Sequence, residues 1–183
     1  IECIFLESKK SFKQNKHQKE INFFKNVDKN VLEKVKTYRF KKGDINTDNF
    51  KNHLVKVNPD VVLVFGTSII KSDILNSINA RWINIHTGLV QKFRGVSSCF
   101  WAIFENSPES IGFTIHEVNR GIDTGKVLLQ GRPRLKPDDD IDIIFFKTCL
   151  AAQKCLATNL IEIVKHTDKE LSTFDKIKGK LYM

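Results

Sequence analysis

The chain has 183 residues, 41% hydrophobic and 28% charged, and carries a formal net charge of +9. That length buries the core of one domain of ordinary size, and that composition excludes a disordered or fibrous chain. No apolar run approaches the roughly 18–20 residues that cross a bilayer, no secretory leader is visible, and the expected location is the cytoplasm.

In chain order, residues 1–7 (IECIFLE) alternate as a strand does. Residues 8–30 are polar and lysine-rich around Ile21, Phe23 and Phe24 and read as an exposed helical excursion. Asp28 then caps a short helix over Val31, Leu32 and Val35. Residues 44–57 are a further helix, with Phe50, Leu54 and Val57 at helical spacing. Asn58-Pro59-Asp60 breaks it and starts the strand VVLVFG, whose continuous apolar character predicts a parallel strand buried on both faces. Gly66-Thr67-Ser68 turns the chain, and Ser72 or Asp73 opens a helix through Leu75 and Ile78. WINIH is the next strand. Ser97 and Ser98 cap the helix CFWAIFEN. GFTIHEVN and KVLLQGRPRL are two extended segments around a turn at 120–124. Asp138, Asp139 and Asp140 cap a long last helix whose core stripe is Ile143, Phe146, Leu150 and Leu160.

Strand–helix alternation makes the fold class α/β, an open sheet with helices on both faces. Ligands of such sheets bind beyond the carboxyl ends of the strands, where the Gly66 loop and the loop after His86 both lie. The excess positive charge favours polyanionic or phosphorylated partners without choosing among RNA, nucleotide and membrane surface. Cys3, Cys99, Cys149 and Cys155 form no CxxC pair and read as core thiols of a reducing compartment. A zinc site built from Cys99, His86 and His116 has no ligand-spacing signature, so no metal is expected.

Residues 82–130 carry the chemistry. Alternate side chains of a strand share a face, so Asn84 and His86 point the same way at the end of WINIH. His116 and Asp123 follow on either side of a turn. A carboxamide polarises a carbonyl, an imidazole handles a proton, and a carboxylate orients the imidazole and stabilises its charge, which together suit acyl transfer to an amine. Singly, an Asn or His at a strand end is an ordinary turn or core residue.

The run Asn84-x-His86, Arg94-Gly95, Trp101 to Ile103, Gly112-x-Thr114-x-His116 and Asp123-Thr124-Gly125 resembles the folate-dependent formyltransferases. The dense motif covers about a third of the chain, with looser similarity over 58–165. The resemblance implies a formyltransferase fold, an open, mostly parallel Rossmann-like sheet, here expected to lack its first strand and helix. Residues 1–165 would form the catalytic domain and 166–183 a tail. It further implies 10-formyltetrahydrofolate as co-substrate, with Asn84, His86 and Asp123 catalytic. Gly66, Thr67, Ile122, Thr124 and Gly125 would meet the folate. Gly88, Lys92, Arg94, Gly95 and His116 would lie on the acceptor side, His116 acting more through its neighbours than in the chemistry. Gly121 and Gly125 are expected to supply positive φ or close approach at the Asp123 turn. Trp101 and Phe100 are expected in the core and the pocket wall.

The chain departs from the family where the loop after the histidine commonly reads Pro-Ser-Leu-Leu-Pro. Here it is Thr87-Gly88-Leu89-Val90-Gln91, so the serine position is Gly88 and the last proline is Gln91. The loop is expected to be less rigid and to lack one hydroxyl. Of the family's acceptors, a nucleotide-linked amino sugar fits best, because that branch tolerates variation here and its diphosphate suits a basic rim including Lys92 and Arg94. Glycinamide ribonucleotide and methionyl-tRNA are the alternatives, tRNA being disfavoured by the short tail. A hydrolase that releases formate from the same folate, and a non-catalytic basic module for nucleotide or RNA, stay open as well. No G-x-G-x-x-G phosphate loop is present, which counts against a dinucleotide fold.

Overall fold

The computed structural model describes residues 3–7, 14–26, 35–165 and 179–183. They group into two compact units, one within Ile1–Val62 and Thr67–Arg81, the other within Leu63–Gly66 and Trp82–Met183.

In the first unit, β1 (Cys3–Glu7) pairs in parallel with β2 (Lys36–Phe40). The register sets Phe5 opposite Tyr38, and their rings stack 5.2 Å apart. Phe40 and Phe50 meet edge-on at 5.3 Å, so aromatic side chains supply much of this unit's packing. The lysine-rich excursion contains the helix α1 (Gln14–Phe23). Of the helix read over Val31, Leu32 and Val35, Val31 and Leu32 lie outside the described residues, and Val35 is a bend ahead of β2. KTYRF, unassigned by pattern alone, is β2; its aromatic and β-branched residues suit a strand, but five residues give little periodicity to read.

The helix read over 44–57 divides in two. A 3₁₀ turn at Asp44–Asn46 precedes α2 (Asp48–Val57), because the Thr47 hydroxyl caps the Phe50 amide and starts the helix afresh. α2 ends at Asn58 in the left-handed region (φ 45°), ahead of Pro59. The next helix, α3 (Ser72–Leu75), stops three residues before Ile78. Glu7 ties this unit together. Its carboxylate accepts the Ser68 amide and hydroxyl, each at 2.8 Å, and the Gly43 amide, and these bonds outweigh burial and hold its pKa below the ordinary value.

β3 (Val61–Phe65) opens a four-stranded sheet of order β3-β4-β6-β7, with β4 (Arg81–His86), β6 (Phe113–Glu117) and β7 (Val127–Gly131). Contrary to expectation, β3 is not buried on both faces: Leu63 and Phe65 are exposed and only Val64 is buried. It is the edge of this sheet, so its apolar run covers less than a central strand would. β4 pairs antiparallel with β6, and β6 with β7. Beside it, β5 (Phe93–Gly95) pairs in parallel with β8 (Lys180–Tyr182).

α4 (Ser98–Phe104) and α5 (Ile141–Lys165) cover the second unit's core of Phe93, Cys99, Ala102, Ile111 and Ile144. The Asp140 carboxylate caps α5 at the Ile143 amide, as the acidic run predicts. The buried stripe of α5 is Ile144, Thr148, Cys149, Ala152, Leu156 and Ile163, with Phe146 beside it. Of the stripe read from sequence only Phe146 is fully buried, because the helix is apolar on more than one side and the pattern does not fix which side faces the sheet. Trp101 stacks on Tyr182 at 4.2 Å against this core, whereas Phe100 is exposed. None of the four cysteines is in a disulfide. Among the described residues no helix is long and apolar enough to cross a membrane.

Candidate active site

The β4–β6 register sets Asn84 directly opposite His116, and His86 opposite Thr114. Opposed residues of an antiparallel pair share a face, and so do residues two apart, so these four side chains stand together. β6 runs on into a hairpin with β7, closed by the Glu117 amide on the Lys126 carbonyl, at 2.8 Å. Inside the hairpin Asn119 accepts the Gly121 amide (2.9 Å) and the Thr124 hydroxyl (2.8 Å). The turn carries Asp123 back over the sheet. Positive φ falls on Asp123 itself (φ 50°) rather than on Gly121 or Gly125. Gly125 supplies close approach, since a Cβ there would strike the Glu117 backbone. A non-glycine residue held at positive φ is the kind of local strain that collects at functional sites.

Asp123 is where the site converges. One carboxylate oxygen, Oδ1, lies 3.3 Å from His116 Nε2 and 3.4 Å from Asn84 Nδ2. The other, Oδ2, lies 3.4 Å from His86 Nδ1 and accepts the Gly95 amide at 2.7 Å. Asn84 Nδ2 is also 3.2 Å from His116 Nε2. Behind them His116 Nδ1 donates to the Glu117 carbonyl at 2.8 Å, and His86 Nε2 lies 3.0 Å from the Phe93 carbonyl and 3.2 Å from the Ser98 hydroxyl. Side-chain exposure is 6% for His86, 3% for His116 and 10% for Asp123, so water screens these contacts little.

Burial is the first influence on both titrating partners, and they respond differently. It pushes the His86 imidazole below its ordinary value, and the attraction of Asp123 and the Phe93 carbonyl do not offset it. Burial also works against the Asp123 charge. There the His116 hydrogen bond, the attraction of His86 and the Gly95 amide outweigh it and hold the carboxyl below the ordinary aspartate range. The site is therefore an ionised carboxylate flanked by an imidazole easily kept neutral, a pairing suited to moving a proton near neutral pH.

The residues assigned to the acceptor side behave differently from one another. Gly95 is built into the site: its φ is +89°, its amide holds Asp123, and the Tyr182 backbone occupies the space a Cβ would need. Arg94 is turned onto the backbone, donating from Nε to the Gly179 carbonyl at 2.8 Å and from Nη1 to the Ile122 carbonyl at 3.3 Å. It thus braces the Asp123 turn rather than lining a rim. His116 is buried behind Asn84 and Asp123, and Gly88 is buried beneath His86. Only Lys92 of this group is exposed. Of the residues assigned to folate, Ile122 offers its carbonyl to Arg94, Thr124 closes its own turn, Gly66 has φ 60°, and Thr67 is exposed.

The loop expected to be slack is held by side chains instead of prolines. Thr114, fully buried, donates to the Gly88 carbonyl at 2.6 Å and accepts from the Val90 amide (3.3 Å) and Gln130 (2.8 Å). Gln130 in turn bonds Gln91 at 2.6 Å, so the residue standing in for proline is itself an anchor. Sequence reading missed Ser98, the Gly95 amide and β8. Ser98 reads as a helix cap, and nothing local distinguishes a serine that turns inward. In the structure Ser97 takes the cap position, and no side-chain cap bond forms. Cys99 is buried in α4 with its thiol pushed up by burial, as expected of a core residue and not of a nucleophile. Among the described residues no three His, Cys, Asp or Glu side chains are grouped to hold a metal ion.

Residues 5–160 match the family model for formyl transferase. The chain is 30% identical over 160 residues to the bifunctional polymyxin resistance protein ArnA of Wigglesworthia glossinidia brevipalpis, covering 87% of this chain and 24% of that protein. It is 29% identical over 138 residues to methionyl-tRNA formyltransferase of Agathobacter rectalis, covering 70% of this chain and 44% of that one. The chain thus spans less than half the length of these two relatives. The solved structure of the formyltransferase PseJ from Anoxybacillus kamchatkensis, in complex with UDP-4,6-dideoxy-4-formamido-L-AltNAc and tetrahydrofolate, superposes with a TM-score of 0.64. At 18% identity, over 98% of this chain and 84% of that one, it shares the fold. With the motif residues converging on Asp123 and the family model matching from β1 into α5, the chain belongs to the formyl transferase family.

Proposed function

We propose that the protein transfers the formyl group of 10-formyltetrahydrofolate to a primary amine carried by a nucleotide-linked amino sugar. The observation that carries the transfer is the meeting of Asn84, His86 and His116 on the single buried carboxylate of Asp123. The amine nitrogen attacks the formyl carbon, a new C–N bond forms, and the carbonyl electrons move to oxygen. Asn84 stabilises that oxyanion. One of its amide N–H groups is held by Asp123 Oδ1, 3.4 Å away, leaving the other for the oxygen. The proton released by the attacking amine passes to the His86–Asp123 pair. Collapse of the intermediate breaks the bond to the folate nitrogen, which takes up a proton and leaves as tetrahydrofolate.

Gly66, Thr67, Ile122, Thr124 and Gly125 are proposed for the folate side, Gly88, Lys92 and Gly95 for the acceptor side, and the cytoplasm for the location. Arg94 and His116 serve by holding the Asp123 turn and Asn84. An anionic acceptor is supported by the exposed Lys92 and by the net charge of +9. A solved relative bound to a UDP-linked formamido sugar and tetrahydrofolate provides the precedent.

The test is to supply 10-formyltetrahydrofolate with nucleotide amino sugars, glycinamide ribonucleotide and methionyl-tRNA, following tetrahydrofolate release and acceptor mass. One formyl group gained by a sugar nucleotide is expected, and Asn84→Ala should lower kcat about 10²–10³-fold, the usual loss for one oxyanion donor. Formylation of glycinamide ribonucleotide or of methionyl-tRNA would replace the sugar, and folate turnover without an acceptor would replace the amine with water. No turnover, with salt-dependent nucleic-acid binding untouched by Asn84→Ala, would overturn the transferase reading.

A further inference from the structure

Ser98 is a buried serine, 3% exposed, whose hydroxyl faces the innermost nitrogen of a site imidazole. It reaches that place from α4 because residue 88 is glycine. A Cβ on Gly88 would lie 2.5 Å from His86 Nε2 and 2.6 Å from Ser98 Cβ, so any larger residue would push the two apart. The hydroxyl that the loop after His86 lacks is thus supplied from another element.

The partners of His86 differ in what they can do. The Phe93 carbonyl, 3.0 Å from Nε2, only accepts, and so serves Nε2 only when it carries a proton. Asp123 Oδ2, at 3.4 Å from Nδ1, is likewise an acceptor when ionised, and requires a proton on Nδ1. With both acceptors satisfied the ring is an imidazolium. When it loses a proton, the one retained stays on Nδ1 against the carboxylate, and Nε2 becomes a lone pair facing a carbonyl oxygen. The Ser98 hydroxyl, 3.2 Å away, both donates and accepts. It accepts from Nε2–H in the charged ring and, by rotating, donates to Nε2 in the neutral one.

We propose that Ser98 is a positioning residue that lets His86 gain and lose its Nε2 proton without leaving that nitrogen unpaired, in a seat that exists because residue 88 is glycine. The reading rests on the proposed role of His86 in formyl transfer. Besides Ser98, the charged or titratable groups facing the ring are Asp123 from the hairpin turn and His116 from β6, its ring 6.5 Å away.

The experiment is an NMR titration of the His86 ring in the whole protein, labelled with ¹³C and ¹⁵N on histidine, for the wild type, Ser98→Ala, Ser98→Thr and Gly88→Ala. Ser98→Ala removes the hydroxyl donor to neutral Nε2 and leaves the Phe93 acceptor for the charged form. It should therefore raise the protonation constant of His86 about threefold or more, and move the acid limb of the kcat–pH profile the same way. Ser98→Thr keeps a hydroxyl and should restore the wild-type midpoint, while Gly88→Ala should shift the Nε2 resonance by displacing the ring. An unchanged or lowered midpoint in folded Ser98→Ala, or a Ser98→Thr midpoint matching Ser98→Ala, would overturn the proposal. These readouts need no turnover. The midpoint shift appearing in a protein that transfers no formyl group would retire the transferase reading and leave the Ser98–His86 pairing standing. Formyl transfer without the shift would do the reverse.

Discussion

Asp123 does more than one carboxylate usually does, and its surroundings set how the folded protein answers to pH. Both site groups are shifted downward, His86 by burial and Asp123 by its hydrogen bonds and charged neighbours against burial. At each, the unfolded chain binds protons more readily, so stability rises with pH and falls on acidification. The His86 share is lost first, as pH drops below the ordinary imidazole value of 6.5. The Asp123 share is present above the ordinary aspartate value of 3.8 and disappears as pH falls through its lowered value. Melting temperature should therefore decline between pH 7.5 and pH 5, and His86→Gln should flatten that part of the curve. Equal slopes in the two proteins would show that His86 is not kept neutral by its seat. The residue types of the proposed catalytic set were legible, since Asn84, His86 and Asp123 fall in a recognisable order. Their protonation was not, because it depends on the Phe93 carbonyl and Gly95 amide, backbone groups that have no sequence signature.

Among the elements, the antiparallel pairing of β4 with β6 does the assembling. It sets Asn84 beside His116 and His86 beside Thr114 across a register that no local pattern states. Thr114 shows what that placement demands. Its hydroxyl uses its donor and both acceptor positions, binding the Gly88 carbonyl, the Val90 amide and Gln130. Thr114→Val keeps the shape and removes all three bonds, leaving buried groups unpaired at about 1–3 kcal/mol each. It should lower the melting temperature clearly and loosen the loop over 87–92. Hydrogen exchange at the Val90 amide would check this, and unchanged protection there would mean the loop is held by packing alone. The strand over VVLVFG was legible and its burial was not, because edge and centre differ by their neighbours and not by their own residues.

Over the whole molecule, the last residues of the chain bear on the site from far away in sequence. β8 bonds back to residues 85 or more positions earlier: the Gly179 amide meets the Val90 carbonyl, the Lys180 amide the Lys92 carbonyl, and the Tyr182 carbonyl the Val96 amide. Arg94 grips Gly179 on one side and Ile122 on the other, and Gly95, pressed against Tyr182, delivers its amide to Asp123. The Lys180 ammonium and the Tyr182 hydroxyl both bond Glu105, holding the strand against α4. A break in β8 should therefore reach the carboxylate. Lys180→Pro removes the amide that bonds Lys92, a loss of about 1 kcal/mol or more. It should lower the melting temperature by roughly 2–4 °C or more for a chain of this size, and lower kcat although the bond lost is to the Lys92 backbone and not to the Asp123 cluster. A variant with normal kcat would show that β5 holds its position without β8.

The sequence by itself determined the α/β class, the hairpin over 113–131, the aspartate cap of the last helix, and the membership of Asn84, His86, His116 and Asp123 in one chemical set. Periodicity, capping chemistry and motif order are local properties, written into consecutive residues. Tertiary structure alone decided that Arg94 braces the backbone, that Gln91 and Thr114 stiffen the loop without proline, that the terminal strand completes β5, and that Ser98 stands beside His86. Each of these is a contact between residues well separated along the chain, and its partner is chosen by packing and by the need to pair every buried polar group.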